Sequence, residues 1–91
     1  MATSITKDVI RPGHRLDAFQ PSHSAGAVVS FTGLVRDASH GQAVSSLYLE
    51  HYPGMSEHCL HELAQACAAR FELAGMVLIH RVGLLLPGDD I

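Results

Sequence analysis

The segment GAVVSFTGLVR constrains the fold more than any other stretch of this chain. Its residues from about Ala27 to Arg36 are rich in β-branched and aromatic side chains, which favour a strand. A second strand-like stretch, VSSLYLEH, follows after a polar loop around Gly41. That loop is too short for a parallel crossover connection. The two stretches are therefore predicted to form neighbouring antiparallel strands.

One main helix is predicted after the Pro53-Gly54 corner, with Ser56 as its N-cap and Glu57 in its first turn. Apolar residues then recur at helical spacing and form one stripe. The stripe comprises Leu60, Leu63, Ala64, Cys67 and Phe71. The segment MVLIHRVG predicts a third strand, and Pro87-Gly88 predicts a tight turn before a fourth. A fourth strand that begins and does not continue indicates a fragment of a longer protein.

The size and composition fit one α/β domain spanning residues 1–91, of which residues 1–25 are poorly patterned. A hydrophobic content of 47% is enough to build a core, so a disordered chain is excluded. The formal charge of -3 and six scattered Lys and Arg residues argue against nucleic-acid binding. No apolar run approaches the roughly 20 residues that span a bilayer.

The N-terminal stretch has no apolar signal core, so no targeting peptide is predicted. Cys59 and Cys67 lie eight residues apart on the predicted helix, about 12 Å along its axis, which is too far for a disulfide with each other. Both are predicted to be buried, unreactive thiols in a reducing compartment, with cytoplasm as the default location.

Histidines are numerous, and His58 and His61 lie one helical turn apart, a spacing that can ligate zinc. The helical pattern places both opposite the apolar stripe, and no further ligands converge on them. A solvated helix face is therefore favoured, and no metal site is predicted.

Two further groups of residues leave alternatives open. Arg36 ends the first predicted strand just beyond Gly33, where it is either a solvated strand-end residue or a clamp for a phosphate or carboxylate. Glu50, His51 and Tyr52 lie together at the Pro-Gly corner. A structural corner is favoured over an acid-base pair, because neighbouring strand residues point to opposite faces.

Four motifs, in order, carry a resemblance to a known family: GAVVSFTGLVRD, LYLEHYPGM, ARFEL and VLIHRVGLLLPGDDI. Together they resemble the large, catalytic subunit of molybdopterin synthase (the MoaE family). The resemblance runs from about Gly26 to Ile91. It implies a hammerhead-type α/β fold with antiparallel sheet and one main helix, here incomplete at its C-terminal side.

The resemblance also implies a reaction and an assembly. Members of the family convert cyclic pyranopterin monophosphate (precursor Z) to molybdopterin by inserting the two dithiolene sulfurs. The sulfur arrives as a thiocarboxylate on the C-terminal Gly-Gly tail of a small ubiquitin-like subunit. A homodimer of large subunits forms the centre of a heterotetramer. No metal or other cofactor of the large subunit is implied.

Residue by residue, the resemblance places substrate-binding roles on Phe31, Leu34, Val35 and Arg36. This favours the anion-clamp interpretation of Arg36, because the substrate carries a phosphate. The family's catalytic lysines have no counterpart here, since Lys7 is the only lysine and matches neither. No catalytic residue is assigned, and the 91 residues alone are predicted to be inactive. The alternative is a non-catalytic module that only binds the small subunit or dimerises.

Overall fold

Two helices and six short strands make up the computed structural model, which describes residues 1–91. The elements are β1 (Ala2–Thr6), α1 (Pro12–Ala18), β2 (Ala38–Ser39), β3 (Gln42–Ala43), β4 (Leu47–Leu49), α2 (Met55–Arg70), β5 (Val77–Arg81) and β6 (Gly83–Leu85). The strands form three separate two-stranded pairs. The predicted mixed α/β class is confirmed, with α2 as the one main helix.

The N-terminal residues contain an element that the sequence did not predict. Strand β1 pairs with β5 in parallel, in a register that joins Ala2 to Val77 and Thr6 to Arg81. The long connection between β1 and β5 contains helix α2, and this helix packs against β1. The third predicted strand is confirmed as β5, but its partner is supplied by residues that appeared poorly patterned.

The strand predicted over residues 27–36 is wrong, and so is its antiparallel pairing with VSSLYLEH. The only bridge in this stretch joins Leu34 to Asp90. A tight β2–β3 hairpin follows, with positive φ angles at His40 and Gly41 that fit a type I′ turn. Beyond the hairpin, β4 pairs with β6 instead. Residues 26–33, called the apolar segment below, are therefore left without a ladder partner.

Helix α2 begins two residues earlier than predicted. Its N-cap is Gly54, and Ser56 lies in the first turn, where its hydroxyl accepts a hydrogen bond from the Tyr52 N–H. The predicted apolar stripe is only partly buried, since Ala64 is buried whereas Leu63 and Phe71 are largely exposed. The helix contacts β1 along a narrow strip, which explains the limited burial. Neither helix is long and apolar enough to cross a membrane.

The core is small, and its residues come from several parts of the chain. The fully or nearly fully buried residues are Ile10, Val35, Ala64, Val82, Gly83 and Leu85. The predicted turn at Pro87-Gly88 is confirmed, because the Asp89 N–H donates to the Leu86 carbonyl at 3.0 Å. An ion pair of 3.4 Å between Arg81 and Asp89 ties this turn to β5. Core and turn together fix the position of residues 33–36.

Candidate functional site

A cavity of about 600 Å³, called the larger cavity below, lies between α1, the apolar segment and residues 73–79. Most of its lining is apolar. The side chains that line it include Ile10, Leu16, Phe19, Val28, Phe31 and Ile79. Phe31, a predicted substrate-binding residue, lies at the open side, with 93% of its surface exposed. Ligand sites are commonly concave and mostly apolar, so this cavity is the first candidate.

The other predicted substrate-binding residues follow Phe31 along the chain but do not line this cavity. Val35 is buried, and its backbone is fixed on both sides. Its N–H donates to the Asp89 carbonyl at 2.9 Å, and its carbonyl accepts from the Gly88 N–H at 2.8 Å. Leu34 is more than half exposed and forms the bridge with Asp90. Of the predicted residues, Phe31 therefore lines this cavity, and Leu34, Val35 and Arg36 lie outside its lining.

Arg36 is exposed at the point where the chain leaves this pairing and enters the β2–β3 hairpin. Its guanidinium forms no ion pair and no hydrogen bond within the chain. Its backbone is held next to Val35, whose hydrogen bonds to residues 88 and 89 limit local movement. An exposed, unpaired guanidinium beside a fixed backbone is available to bind an anion. Gly33 is not required by a close backbone approach, since an added Cβ would meet only the Ile91 side chain at 3.6 Å.

The Pro-Gly corner is held together by side chains that bind different partners. The Tyr52 hydroxyl donates to Glu50, and His51 Nε2 lies 2.7 Å from Glu57 Oε1. The Gly54 N–H donates to the other oxygen of Glu57 at 2.7 Å. Glu50 and His51 do not contact each other, as the strand alternation predicted. The corner was predicted to satisfy loop backbone, and Ser56 and Glu57 do accept backbone N–H groups, whereas Glu50, His51 and Tyr52 bind side chains of the corner.

Two carboxylates set the electrostatics of this corner. The pKa of Glu57 lies below its ordinary value because its own backbone N–H, His51 and the Gly54 N–H all stabilise the carboxylate. The pKa of Tyr52 is raised, chiefly because its hydroxyl donates to Glu50 and secondarily through partial burial. Both effects favour the folded corner with an ionised Glu57 and a protonated Tyr52. This pattern fits a helix start held by the charge of Glu57.

A second cavity of about 290 Å³ joins the corner to α2 and β5. Its polar lining consists of Glu50, Ser56, Cys59 and His80. His80 Nδ1 donates to the Ile91 carbonyl at 3.3 Å. Sequence reasoning missed this grouping because it depends on β1, which contributes Ile5 and places β5 beside α2. The only available signal was the β-branched composition of residues 3–6.

The remaining chemical candidates are dispersed. His58 and Glu62 form an exposed i,i+4 pair at 3.2 Å, and His61 is also exposed, so the solvated helix face is confirmed. No group of three His, Cys, Asp or Glu side chains converges in the chain. Both cysteines are unpaired. Cys67 is partly buried, but the prediction of a buried Cys59 is wrong, because the covered strip of α2 is too narrow to reach it.

Comparison with curated proteins yields relatives over most of this chain. The chain is 54% identical over 69 residues to the molybdopterin synthase catalytic subunit of Pasteurella multocida, covering 76% of this chain and 46% of that protein. It is 39% identical over 92 aligned positions to the protein of the same name from Pseudomonas aeruginosa, covering 100% of this chain and 61% of that protein. The chain thus spans about half the length of the curated relatives it matches.

Solved structures of MoaE proteins are also similar to this chain. The molybdopterin biosynthesis MoaE protein from Burkholderia ambifaria superimposes with a TM-score of 0.78 at 34% identity, covering 99% of this chain and 58% of that one. The molybdopterin cofactor biosynthesis protein E from Burkholderia multivorans superimposes with a TM-score of 0.77 at 36% identity, covering 100% and 60% of the two chains. At these TM-scores and identities, the chain shares the fold of both proteins over nearly its whole length.

The sequence description of the MoaE protein family matches residues 5–91, which is nearly the entire chain. The match includes the apolar segment, Arg36, the Pro-Gly corner and both cavities. The curated relatives and the solved structures agree with it. The chain belongs to the MoaE protein family.

Proposed function

We propose that this chain is part of a molybdopterin synthase catalytic subunit and serves the conversion of cyclic pyranopterin monophosphate to molybdopterin. In that reaction two sulfur atoms enter the pterin side chain as a dithiolene. They are delivered as thiocarboxylates on the C-terminal tail of a small ubiquitin-like subunit. The single observation that carries the proposal is the family match over residues 5–91.

The fold around the candidate site supports this proposal. The elements that hold Phe31 and Arg36 belong to the region that superimposes on two MoaE proteins. Curated relatives that match most or all of this chain are named catalytic subunits, which favours the enzyme over a module that only binds or dimerises. The proposed assembly is a homodimer of this subunit within a heterotetramer, and the proposed location is the cytoplasm. The two unpaired thiols fit a reducing compartment.

Within this function, Arg36 is proposed to bind the substrate phosphate. Its guanidinium is exposed and has no partner in the chain, so no existing ion pair must be broken. Leu34 and Val35 hold it in place through the bridge to Asp90 and the hydrogen bonds to residues 88 and 89. Phe31 is proposed to contact the pterin from the open side of the larger cavity. Because Phe31 lines the larger cavity and Arg36 lies outside its lining, the substrate would extend between them.

Replacement of Arg36 tests this role. Arg36→Ala in the complete synthase is expected to weaken substrate binding by about ten- to a hundredfold, since charge-assisted hydrogen bonds contribute roughly 1.5–3 kcal/mol. Substrate affinity and single-turnover rate would be measured together. Arg70→Ala is the matched control, because Arg70 is an exposed arginine near Phe71 at the distant end of α2. Equal behaviour of the two variants would remove Arg36 from the site.

The 91 residues alone are proposed to form no product, even with precursor and thiocarboxylated small subunit. The resemblance assigns catalysis to lysines, and the single lysine here lines neither cavity. Lys7 is exposed, and its backbone carbonyl accepts a hydrogen bond from Arg81 at 3.4 Å. The measurement is molybdopterin formed by the purified chain. Product that disappears in Lys7→Ala would contradict this proposal and place the chemistry within these residues.

A further inference from the structure

Residues 26–46 are attached to the rest of the chain at few points. Their backbone hydrogen bonds to other parts of the chain are all made by Gly33 and Val35. Both residues bond to residues 88–91, called the anchoring segment below, at distances of 2.8 or 2.9 Å. The β2–β3 hairpin pairs only with itself and adds no further link. The position of Arg36, one residue beyond Val35, therefore depends on where the anchoring segment lies.

Asp89 fixes the anchoring segment through two different groups. Its carbonyl accepts the Val35 N–H at 2.9 Å. Its carboxylate accepts the Leu86 N–H at 2.9 Å, which closes the Pro87-Gly88 turn, and lies 3.4 Å from the Arg81 guanidinium. Because the carboxylate is held by two partners, the carbonyl of the same residue keeps its direction towards Val35. Asp89 therefore joins the backbone of Val35 to the turn and to β5.

Arg81 supplies the fixed point for this contact. It lies in β5, which pairs with β1, and its Nε donates to the Lys7 carbonyl at 3.4 Å. Its backbone N–H also donates to the Ile91 carbonyl at 3.2 Å, so Arg81 holds both ends of residues 89–91. The side chains of Arg81 and Asp89 are only 12% and 33% exposed. Solvent screens such a covered pair less than a surface pair, so its charges contribute more to holding the anchoring segment.

We propose that Asp89, held by Arg81, is a positioning residue that fixes the backbone at Val35 and thereby holds Arg36 in place for the substrate phosphate. This role rests on the proposed function of Arg36 as the group that binds that phosphate. Arg36 is exposed and unpaired, so a mobile backbone would increase the conformational entropy that is lost when its guanidinium binds. Asp89 acts without touching the substrate, because it removes part of this entropy cost before the substrate arrives.

Substrate binding by Asp89→Asn in the complete synthase is the first test. Asn keeps an oxygen that accepts the Leu86 N–H and removes only the charge that faces Arg81. Affinity for cyclic pyranopterin monophosphate is expected to fall about three- to tenfold, whereas the single-turnover rate at saturating substrate stays within about twofold of the parent. Glu62→Gln, which removes the carboxylate of an exposed ion pair on α2, is the matched control and should bind like the parent. Unchanged affinity of Asp89→Asn, or an equal loss in Glu62→Gln, would overturn the role.

A background without the phosphate contact separates positioning from general stabilisation of the fold. In Arg36→Ala, the additional change Asp89→Asn should cause no further loss of affinity, because no guanidinium is left to position. A further loss of about threefold or more would overturn the role, since Asp89 would then act on binding without Arg36. Substrate binding by Arg36→Ala that equals the parent would remove the proposed function of Arg36 and this role together. Weak binding by Arg36→Ala with normal binding by Asp89→Asn would remove the positioning role alone.

Amide hydrogen exchange measures the positioning without any pterin. The Val35 N–H donates to the Asp89 carbonyl, so its deuterium uptake in the complete synthase should become about fivefold faster in Asp89→Asn. Uptake across β4 and β6 should not change, which verifies that the fold is intact. Arg81→Gln removes the other half of the ion pair and serves as the second variant, with a similar effect expected, and the double variant should add little. Exchange of the Val35 N–H that is unchanged in both single variants would overturn the proposal.

Discussion

The Pro-Gly corner and the apolar segment differ in where their hydrogen-bond partners lie. In the corner, residues 50–57 bind one another across at most six positions of sequence. The apolar segment has a stronger strand composition but no backbone partner within residues 27–32. One region is ordered by neighbours in sequence, and the other has no backbone hydrogen-bond partner in the chain.

The difference shows that β-propensity alone does not produce a paired strand. Val, Phe and Thr side chains favour an extended backbone, but a strand is completed only by a second backbone at hydrogen-bonding distance. The corner needs no partner from a distant part of the chain, because the Glu57 carboxylate in the first helical turn binds both His51 and the Gly54 N–H. Sequence patterns are therefore more dependable for the corner and α2 than for residues 27–36.

The largest expected difference in stability is between a substitution in the buried core and one in the apolar segment. Leu85 is fully buried and pairs with Leu47 at the start of β4. Leu85→Ala should reduce the free energy of unfolding by about 2–5 kcal/mol, because the side chain leaves a cavity. Val29→Ala should change it by less than about 0.5 kcal/mol, because the side chain is exposed. Chemical denaturation of dilute protein measures both.

Dilution matters in this comparison, because the Val29 side chain is exposed and can contact other molecules at high protein concentration. A large effect of Val29→Ala that persists at the lowest concentration would show that the apolar segment is packed within one chain. A small effect of Leu85→Ala would show that the β4–β6 pair contributes little to stability. Either result would remove the contrast between the two regions.

The sequence predicted the elements whose determinants are local and missed those that depend on distant partners. Helix α2, strand β5 and the Pro87-Gly88 turn were predicted because spacing and turn residues identify them. Strand β1 was missed because five residues carry little pattern and their partner lies about seventy positions away. For the same reason, the sequence predicted site roles for Phe31 and Arg36 but not that only Phe31 lines the larger cavity.

Backbone geometry gives a second, smaller contrast between the two regions. Gly54 has φ 85° and ψ -54°, a conformation that disfavours side chains, at the N-cap of α2. Gly54→Ala should destabilise the fold by about 1–2 kcal/mol. Gly26→Ala, at the start of the apolar segment, has open space and no positive φ, so it should be neutral or stabilise by about 0.4–1 kcal/mol. Thermal melts of the two variants measure the difference, and equal losses would show that residue 26 is also conformationally restricted.

The smallest expected difference concerns how low pH affects the stabilisation of the corner by Glu57. Because the pKa of Glu57 is lower in the folded corner than its ordinary value of 4.5, the folded state binds fewer protons than the unfolded state as acid is added. The stabilisation is complete above about pH 4.5 and is lost as the pH falls through the lowered folded pKa. The melting temperature of Glu57→Gln should therefore lie below that of the parent at pH 6, and the two should converge near the acid end of the series. Glu62→Gln is the control on the same helix, since Glu62 contacts only exposed His58, and it should follow the parent throughout. A difference in melting temperature between Glu57→Gln and the parent that stays constant with pH would contradict this. It would show that the shape of the Glu57 side chain, and not its charge, stabilises the corner.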